Sequence, residues 1–310
     1  MSFDPGIQFT TFRESTKLLF GFKNKEIMKI LAPTDFSTNA NQALDYASLV
    51  AKATGSELIL LYAYSPQVTR YNLAYPLIID EIVRAQKEAV EKLTVRCAAI
   101  SRTHEITCRH VVREGLPVDE ILAEAADGID MIIMGTEGAS GLGKVLFGSN
   151  TASVIEKATC PVLAVPMRSK LLLPGKVVFA TDYQDNDMQT LKSLNKLTTT
   201  LGAELHIVHI SKDKLKQEKE LIDIFSREVA KETNIKKPMF HVMPHDDKQE
   251  GIDLFVDSVG ADLIALSTRE RSIFKKFFGS SLTKKMAYQA RLPLLAYHAK
   301  KLDTSKDSDF

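Results

Sequence analysis

The stretch DMIIMGTEGASGLGKVLFGSNT, Asp130 to Thr151, decides the fold. Met131 to Met134 is a short apolar run of the kind that forms a strand buried on both faces. Gly135, Gly138, Gly141 and Gly143 follow within nine residues, and Gly148-Ser149 then opens an apolar-periodic segment ending near Ala158. Strand, glycine-rich loop and helix start, in that order, make a local geometry that holds a phosphate. Glycines permit positive φ and let backbone N–H groups come close to an anion, and the free amides of a helix's first turn attract it. Ser149 and Thr151 add hydroxyl donors, and Ser149 is suited to cap the helix. A glycine-rich turn without a ligand is the alternative reading of the same residues.

Two familiar phosphate motifs fail here. Gly138 to Lys144 fits G-x-x-x-x-G-K, but Val145 follows where a P-loop needs a magnesium-binding Ser or Thr. No G-x-G-x-x-G follows a strand, which removes the dinucleotide fingerprint. The spacing that does fit is G-2x-G-9x-G-[ST], carried by Gly135, Gly138, Gly148 and Ser149. It resembles the ATP-binding signature of the universal stress protein family.

Composition agrees with a soluble globular chain: 310 residues, 45% hydrophobic and 25% charged, long enough for two domains. A net charge of +1 gives no electrostatic case for a nucleic-acid or membrane-surface partner. Cys97, Cys108 and Cys160 are odd in number and lack C-x-x-C spacing, which argues against a disulfide framework or zinc site and for a reducing compartment. The apolar run Lys17–Phe22 is too short for a signal segment and no membrane span is evident, so a cytoplasmic location is expected.

From Met28 onward, strands and helices alternate: Met28–Asp35, a helix over Asn39–Ala53 closed by Gly55, Glu57–Tyr64, a helix over Leu77–Ile100, Ile106–Val112, a helix over Val118–Ala126, Met131–Gly135, the helix after the glycine loop, and Cys160–Pro166. Such alternation implies a parallel sheet with helices on both faces and a ligand beyond the strands' carboxyl ends, near Asp35 and Gly135. The pattern then repeats. KVVFATD (Lys176–Asp182) answers KILAPTD (Lys29–Asp35), and GAEL (Gly202–Leu205) answers GSEL (Gly55–Leu58). ADLIALSTRE (Ala261–Glu270) answers IDMIIMGTEG (Ile129–Gly138), and LPLLAY (Leu292–Tyr297) answers CPVLAV. The predicted fold is α/β: two tandem, doubly wound, five-stranded parallel-sheet domains of Rossmann-like type. Their boundaries are an N-terminal arm 1–26, domain one 27–168, a linker 169–175, domain two 176–299 and a tail 300–310. The apolar final strands CPVLAVP and LPLLAYH predict an internal pseudo-dimer, with Val165 and Tyr297 close enough to cross-link; a homodimer is a further option.

The resemblance covers domain one from Met28 to Met167 and implies roles for particular residues. Asp35 would lie near the adenine or ribose, with Pro33 and Thr34 lining the pocket and Ala63 packing on adenine. Met134, Gly135, Gly138, Gly148, Ser149, Asn150 and Thr151 would surround the ribose and phosphates. The local alternative for Asp35 is an acceptor inside its own strand-to-helix turn. In domain two, Gly135, Gly138, Gly148 and Ser149 become Ser267, Glu270, Ser280 and Ser281. A carboxylate and added side chains oppose phosphate binding. Lys275, Lys276, Lys284 and Lys285 leave some other anion open, or simply form a solvated face. Lys144 either meets a terminal phosphate or is an ordinary loop lysine. His206 and His209, three apart on a strand, face opposite sides and make a poor ligand pair even with His241 and His245 nearby. Tyr62, Tyr64, Tyr71 and Tyr75 either cover a ligand or pack at a surface.

The functional expectation is a universal stress protein that binds ATP in domain one, with magnesium as a candidate companion ion, and acts as a nucleotide-dependent stress sensor or regulator. Its downstream protein partner is not legible. One alternative is a slow ATPase or phosphoryl-transfer enzyme, although no general base or catalytic residue is identifiable. The other is a non-nucleotide small-molecule binder or scaffold. Gly138→Glu is the direct test of the internal comparison. A side chain at a positive-φ position costs roughly 1–2 kcal/mol, and a carboxylate ~4 Å from phosphate adds a few kcal/mol. ATP affinity should fall more than about a hundredfold, with fold stability barely changed because Glu270 already occupies the matching position. Titration calorimetry should give near one ATP per wild-type chain.

Overall fold

Strand β1 (Lys29–Pro33) is fully buried at Ile30, Leu31 and Ala32 and starts the first half of the chain. The computed structural model describes residues 27–65, 75–136, 148–183, 185–212, 215–235, 237–268 and 291–298. Helix α1 (Thr38–Thr54) follows because Ser37 caps it, its hydroxyl accepting from Ala40 N at 3.2 Å. Ala43, Leu44, Ala47, Val50 and Ala51 form its buried face. It stops at Gly55, whose φ of 67° is a left-handed conformation that costs glycine little. Gly202 takes the same conformation, φ 68°, after α5 (Asp185–Leu201) in the second half.

The first half continues through β2 (Glu57–Tyr64), α2 (Tyr75–His104), β3 (Cys108–Glu114), α3 (Pro117–Ala125), β4 (Met131–Gly135), α4 (Ser149–Lys157) and β5 (Val162–Val165). The second half has β6 (Lys176–Ala180), α5, β7 (Glu204–Ser211), α6 (Leu215–Glu232), β8 (Met239–Pro244), α7 (Lys248–Val259), β9 (Leu263–Thr268) and β10 (Leu294–His298). The arm 1–26, the tail 300–310 and Tyr71 lie outside the described residues. Among the described residues, no helix is long and apolar enough to cross a membrane.

The two five-stranded halves expected from the alternation join through their final strands into one ten-stranded sheet in the order β3-β2-β1-β4-β5-β10-β9-β6-β7-β8. Every neighbouring pair is parallel except β5 and β10, which run antiparallel with Leu163 opposite Leu295. The physical reason is edge pairing: two apolar final strands satisfy each other's open backbone groups. Their direction corrects the cross-link sites. Ala164 faces Leu294 and Val162 faces Ala296, so Val165 and Tyr297 fall at opposite ends of the pair.

Side chains alternate between two faces. One core holds Ile30, Leu58, Ile133, Leu163, Phe179 and Leu295 under α1, α2, α5 and α6. The other holds Leu31, Ile59, Ile132, Ala164, Ile264 and Ala296 under α3, α4 and α7. Both cores run across the β5–β10 junction. Each half also ties the start of its first strand to the turn before its fourth. Asp130 Oδ2 accepts from Lys29 N at 2.8 Å, and Asp262 Oδ2 accepts from Lys176 N at 3.0 Å.

Leu163 and Leu295, 1% and 0% exposed, face each other at the junction. Leu163→Ala and Leu295→Ala should each cost about 2–5 kcal/mol. The double mutant should depart from additivity by about 0.5–3 kcal/mol, because the two side chains fill one space. Chemical denaturation reads all three values; strictly additive costs would contradict the shared junction.

Candidate functional site

β1 and β4 are neighbours in the sheet, yet the chain leaves β1 toward β2 and leaves β4 toward β5. Their carboxyl ends therefore border a switch point, where open α/β sheets leave a crevice. A cleft of about 140 Å³ lies there, lined by Pro33, Thr34, Asp35, Ala63, Met134, Gly135, Gly148, Ser149, Asn150 and Thr151. These are all the described residues that the resemblance placed around the nucleotide. Gly138 lies outside the described residues, as do Gly141, Gly143 and Lys144.

The wall at β1 is a tight turn. Thr34 is buried and its N–H donates to Leu61 O at 2.8 Å, which continues the strand pairing past Pro33. Its hydroxyl accepts from Phe36 N at 3.0 Å, and Asp35 Oδ1 accepts from Ser37 N at 3.0 Å. The turn role weighed for Asp35 is thus present, together with its place in the cleft lining. Phe36 sits at φ 62°, a backbone conformation costly for an aromatic residue, and its ring packs on Tyr62 at 4.8 Å. Tyr62 in turn stacks on Tyr64 at 6.3 Å. Neither tyrosine is in the cleft lining.

The opposite wall is the start of α4. Gly148, not Ser149, is the N-cap, with φ −62° and ψ 157°, and no side chain caps the first turn. Ser149 is the first helical residue instead, so the leading amides carry no capping hydroxyl and suit an anion. Neither Gly135 nor Gly148 has positive φ. Their use here is absence of a side chain where backbone lines the cleft, not a left-handed backbone. The floor is fixed by buried Thr151, whose hydroxyl donates to Gly135 O at 2.8 Å, and by Gly148 N donating to Thr136 O at 2.6 Å.

Ala40, Leu61, Pro117 and Ile121 also line the cleft and escape sequence reasoning. Pro117 is the first residue of α3 and Ile121 lies one turn later. Periodicity identifies such a helix face but not which strand end it covers. Glu124, nearly buried, anchors α3 through Arg113 at 3.0 Å and Arg109 at 3.7 Å.

The second half repeats the turn with different neighbours. Tyr183 has φ 56°, and its N–H donates to Thr181 Oγ1 at 2.9 Å, as Phe36 does to Thr34. Lys248, the first residue of α7 where α3 has Pro117, reaches Asp182 Oδ1 at 2.7 Å. Ile210 stands where β2 has Ala63 and is 4% exposed. His209 replaces Tyr62, and its ring stacks on Tyr183 at 4.3 Å. Glu270, Ser280, Ser281 and the four lysines between 275 and 285 lie outside the described residues. His206 faces the other side of the sheet, with Nδ1 3.2 Å from His241 Nε2. Burial and neighbouring His206 hold His241 below the ordinary imidazole range. His245 bonds the backbone of Asp247. Among the described residues, no group of three or more His, Cys, Asp or Glu side chains is arranged to hold a metal.

The universal stress protein family profile matches residues 26–166 and again 174–298. The chain is 34% identical over 137 residues to a universal stress protein of Thermus aquaticus, covering 44% of this chain and 96% of that protein. It is 30% identical over 155 residues to universal stress protein MJ0577 of Methanocaldococcus jannaschii, covering 46% of this chain and 96% of that protein. A universal stress protein of Archaeoglobus fulgidus superposes with a TM-score of 0.66 at 22% identity, covering 88% of this chain and 98% of that one, a likeness of fold. With both halves matched, the chain belongs to the universal stress protein family, as two such domains in tandem.

Proposed function

We propose that the first-half cleft binds ATP and that the chain acts as a nucleotide-dependent regulator in a stress response. The observation that carries this reading is the contrast within one molecule. The first half has a crevice between an uncapped helix start and a short Ala63 side chain, and among the described residues the second half carries Ile210 at the matching strand position and the Lys248–Asp182 pair at the matching turn. Leu61, Ala63, Ile121 and Met134 offer apolar walls for a planar base. Asp35 is an acceptor for ribose hydroxyls or the adenine amino group. The amides of Ser149, Asn150 and Thr151 and the side chains of Ser149 and Asn150 suit the phosphates. Magnesium, if it accompanies the nucleotide, would be held mainly by phosphate oxygens.

The domain assignment that accompanies this reading is 27–168 for the nucleotide-binding half and 176–299 for the half with a degenerate site. Regulation has a physical route. α4 begins at the cleft and packs against β10 of the second half. Ordering of its first turn by a ligand is therefore felt at the junction between the halves.

Ala63→Ile, which imports the second half's residue, is the test. The extra methylenes crowd a small cleft, at about 1–3 kcal/mol, so ATP affinity by titration calorimetry should fall roughly tenfold or more. Unchanged affinity in the variant, or no ATP binding by wild type, would contradict the proposal.

A further inference from the structure

Cys97 on α2 and Cys108 at the start of β3 bring their Sγ atoms to 3.1 Å, the Cys108 thiol donating to Cys97. Cys97 is buried, Cys108 is half-buried, and both pack against the same core. Neither lines the cleft. The second half packs its own helix on this layer two residues further along the matching strand, with Phe225 on α6 edge-on to Phe240 on β8, ring centroids 6.3 Å apart. Sulfur is thus not required to pack this layer. The third cysteine, Cys160, sits in the core on the opposite face of the sheet, where burial pushes its thiol up to about 11.

We propose that Cys97 and Cys108 are a redox-responsive dithiol that closes to a disulfide pinning α2 to β3 when a hydroperoxide reaches it. The hydrogen bond from Cys108 lowers the Cys97 thiol below its ordinary value, against the opposing effect of burial. The same bond, with burial, raises Cys108. Cys97, whose sulfur accepts the Cys108 thiol's hydrogen bond, is placed to be the sulfur that ionises and attacks. Its thiolate breaks the O–O bond of hydrogen peroxide, giving a sulfenic acid on Cys97 and a hydroxide that takes up a proton as water. The Cys108 sulfur then attacks the Cys97 sulfur, and its proton leaves with the sulfenic hydroxyl as a second water. The two sulfurs together give up two electrons, and the peroxide is reduced to two waters. Closing from 3.1 Å to a bond of about 2.05 Å needs an approach of about 1 Å. The cross-link spans a short loop, restricts the unfolded chain and so should raise the unfolding temperature.

The test uses the full chain, reduced under inert gas and then treated with hydrogen peroxide while folded. Free thiols are counted by maleimide labelling after denaturation, and the linkage is mapped on non-reduced peptides. The expected result is a fall from three free thiols to one, a mass lower by two hydrogens, and a Cys97–Cys108 peptide that dithiothreitol cleaves. Cys160→Ser should form the same link, and Cys108→Ser should instead leave a Cys97 sulfenic acid that dimedone traps. Three free thiols after peroxide, or a link through Cys160, would overturn the proposal.

Discussion

The antiparallel pairing of β5 with β10 is the interaction on which the rest of the molecule depends. Each half alone would end its sheet on an apolar strand with a row of open N–H and C=O groups, an aggregation liability. Pairing these strands removes both inner edges at once and merges two modest cores into a pair that runs the length of the sheet. Leu163 and Leu295 are each worth about 1.5–3 kcal/mol by burial, and they face each other where the halves meet. The junction also places α4, which starts at the cleft, against β10.

On this shared scaffold the two halves reach different ends. Both hold an aromatic residue at positive φ after their first strand, Phe36 at 62° and Tyr183 at 56°. Each conformation costs about 1–2 kcal/mol and is held by packing, Phe36 on Tyr62 and Tyr183 on His209. In the first half the turn presents Asp35 to an open cleft. In the second, Lys248 reaches across to Asp182 and Ile210 stands at the strand position that matches Ala63. The half-exposed ion pair itself contributes about 1 kcal/mol or less.

Local chemistry was the legible part of this fold. Glu57–Tyr64 and Met131–Gly135 are strands to the residue, because alternation of apolar runs and turn residues states them outright. β3 shifts from the expected Ile106–Val112 to Cys108–Glu114, since its ends are set by pairing with Leu58–Tyr64. β5 is shorter than Cys160–Pro166, the interior Val162–Val165 alone meeting the ladder between two prolines. Two apolar final strands suggested partners, but nothing local fixes their direction, which misplaced Val165 relative to Tyr297. The cleft residues on β1, β2, β4 and α4 follow from strand ends and the glycine spacing. Pro117 and Ile121 do not, because a helix periodicity does not say which crevice it roofs. The Lys248–Asp182 contact spans 66 residues and exists only through the fold.

The central claim is one ATP site, in the first half, on a sheet shared by both. Hydrogen exchange read by mass spectrometry, with and without saturating ATP and magnesium, locates the ligand on the whole chain without a mutation. ATP should slow exchange at 33–40, 61–64 and 148–152, and leave it unchanged at the matching strand ends 180–187 and 208–211. Protection in the second half equal to that in the first, or no protection near α4, would contradict it.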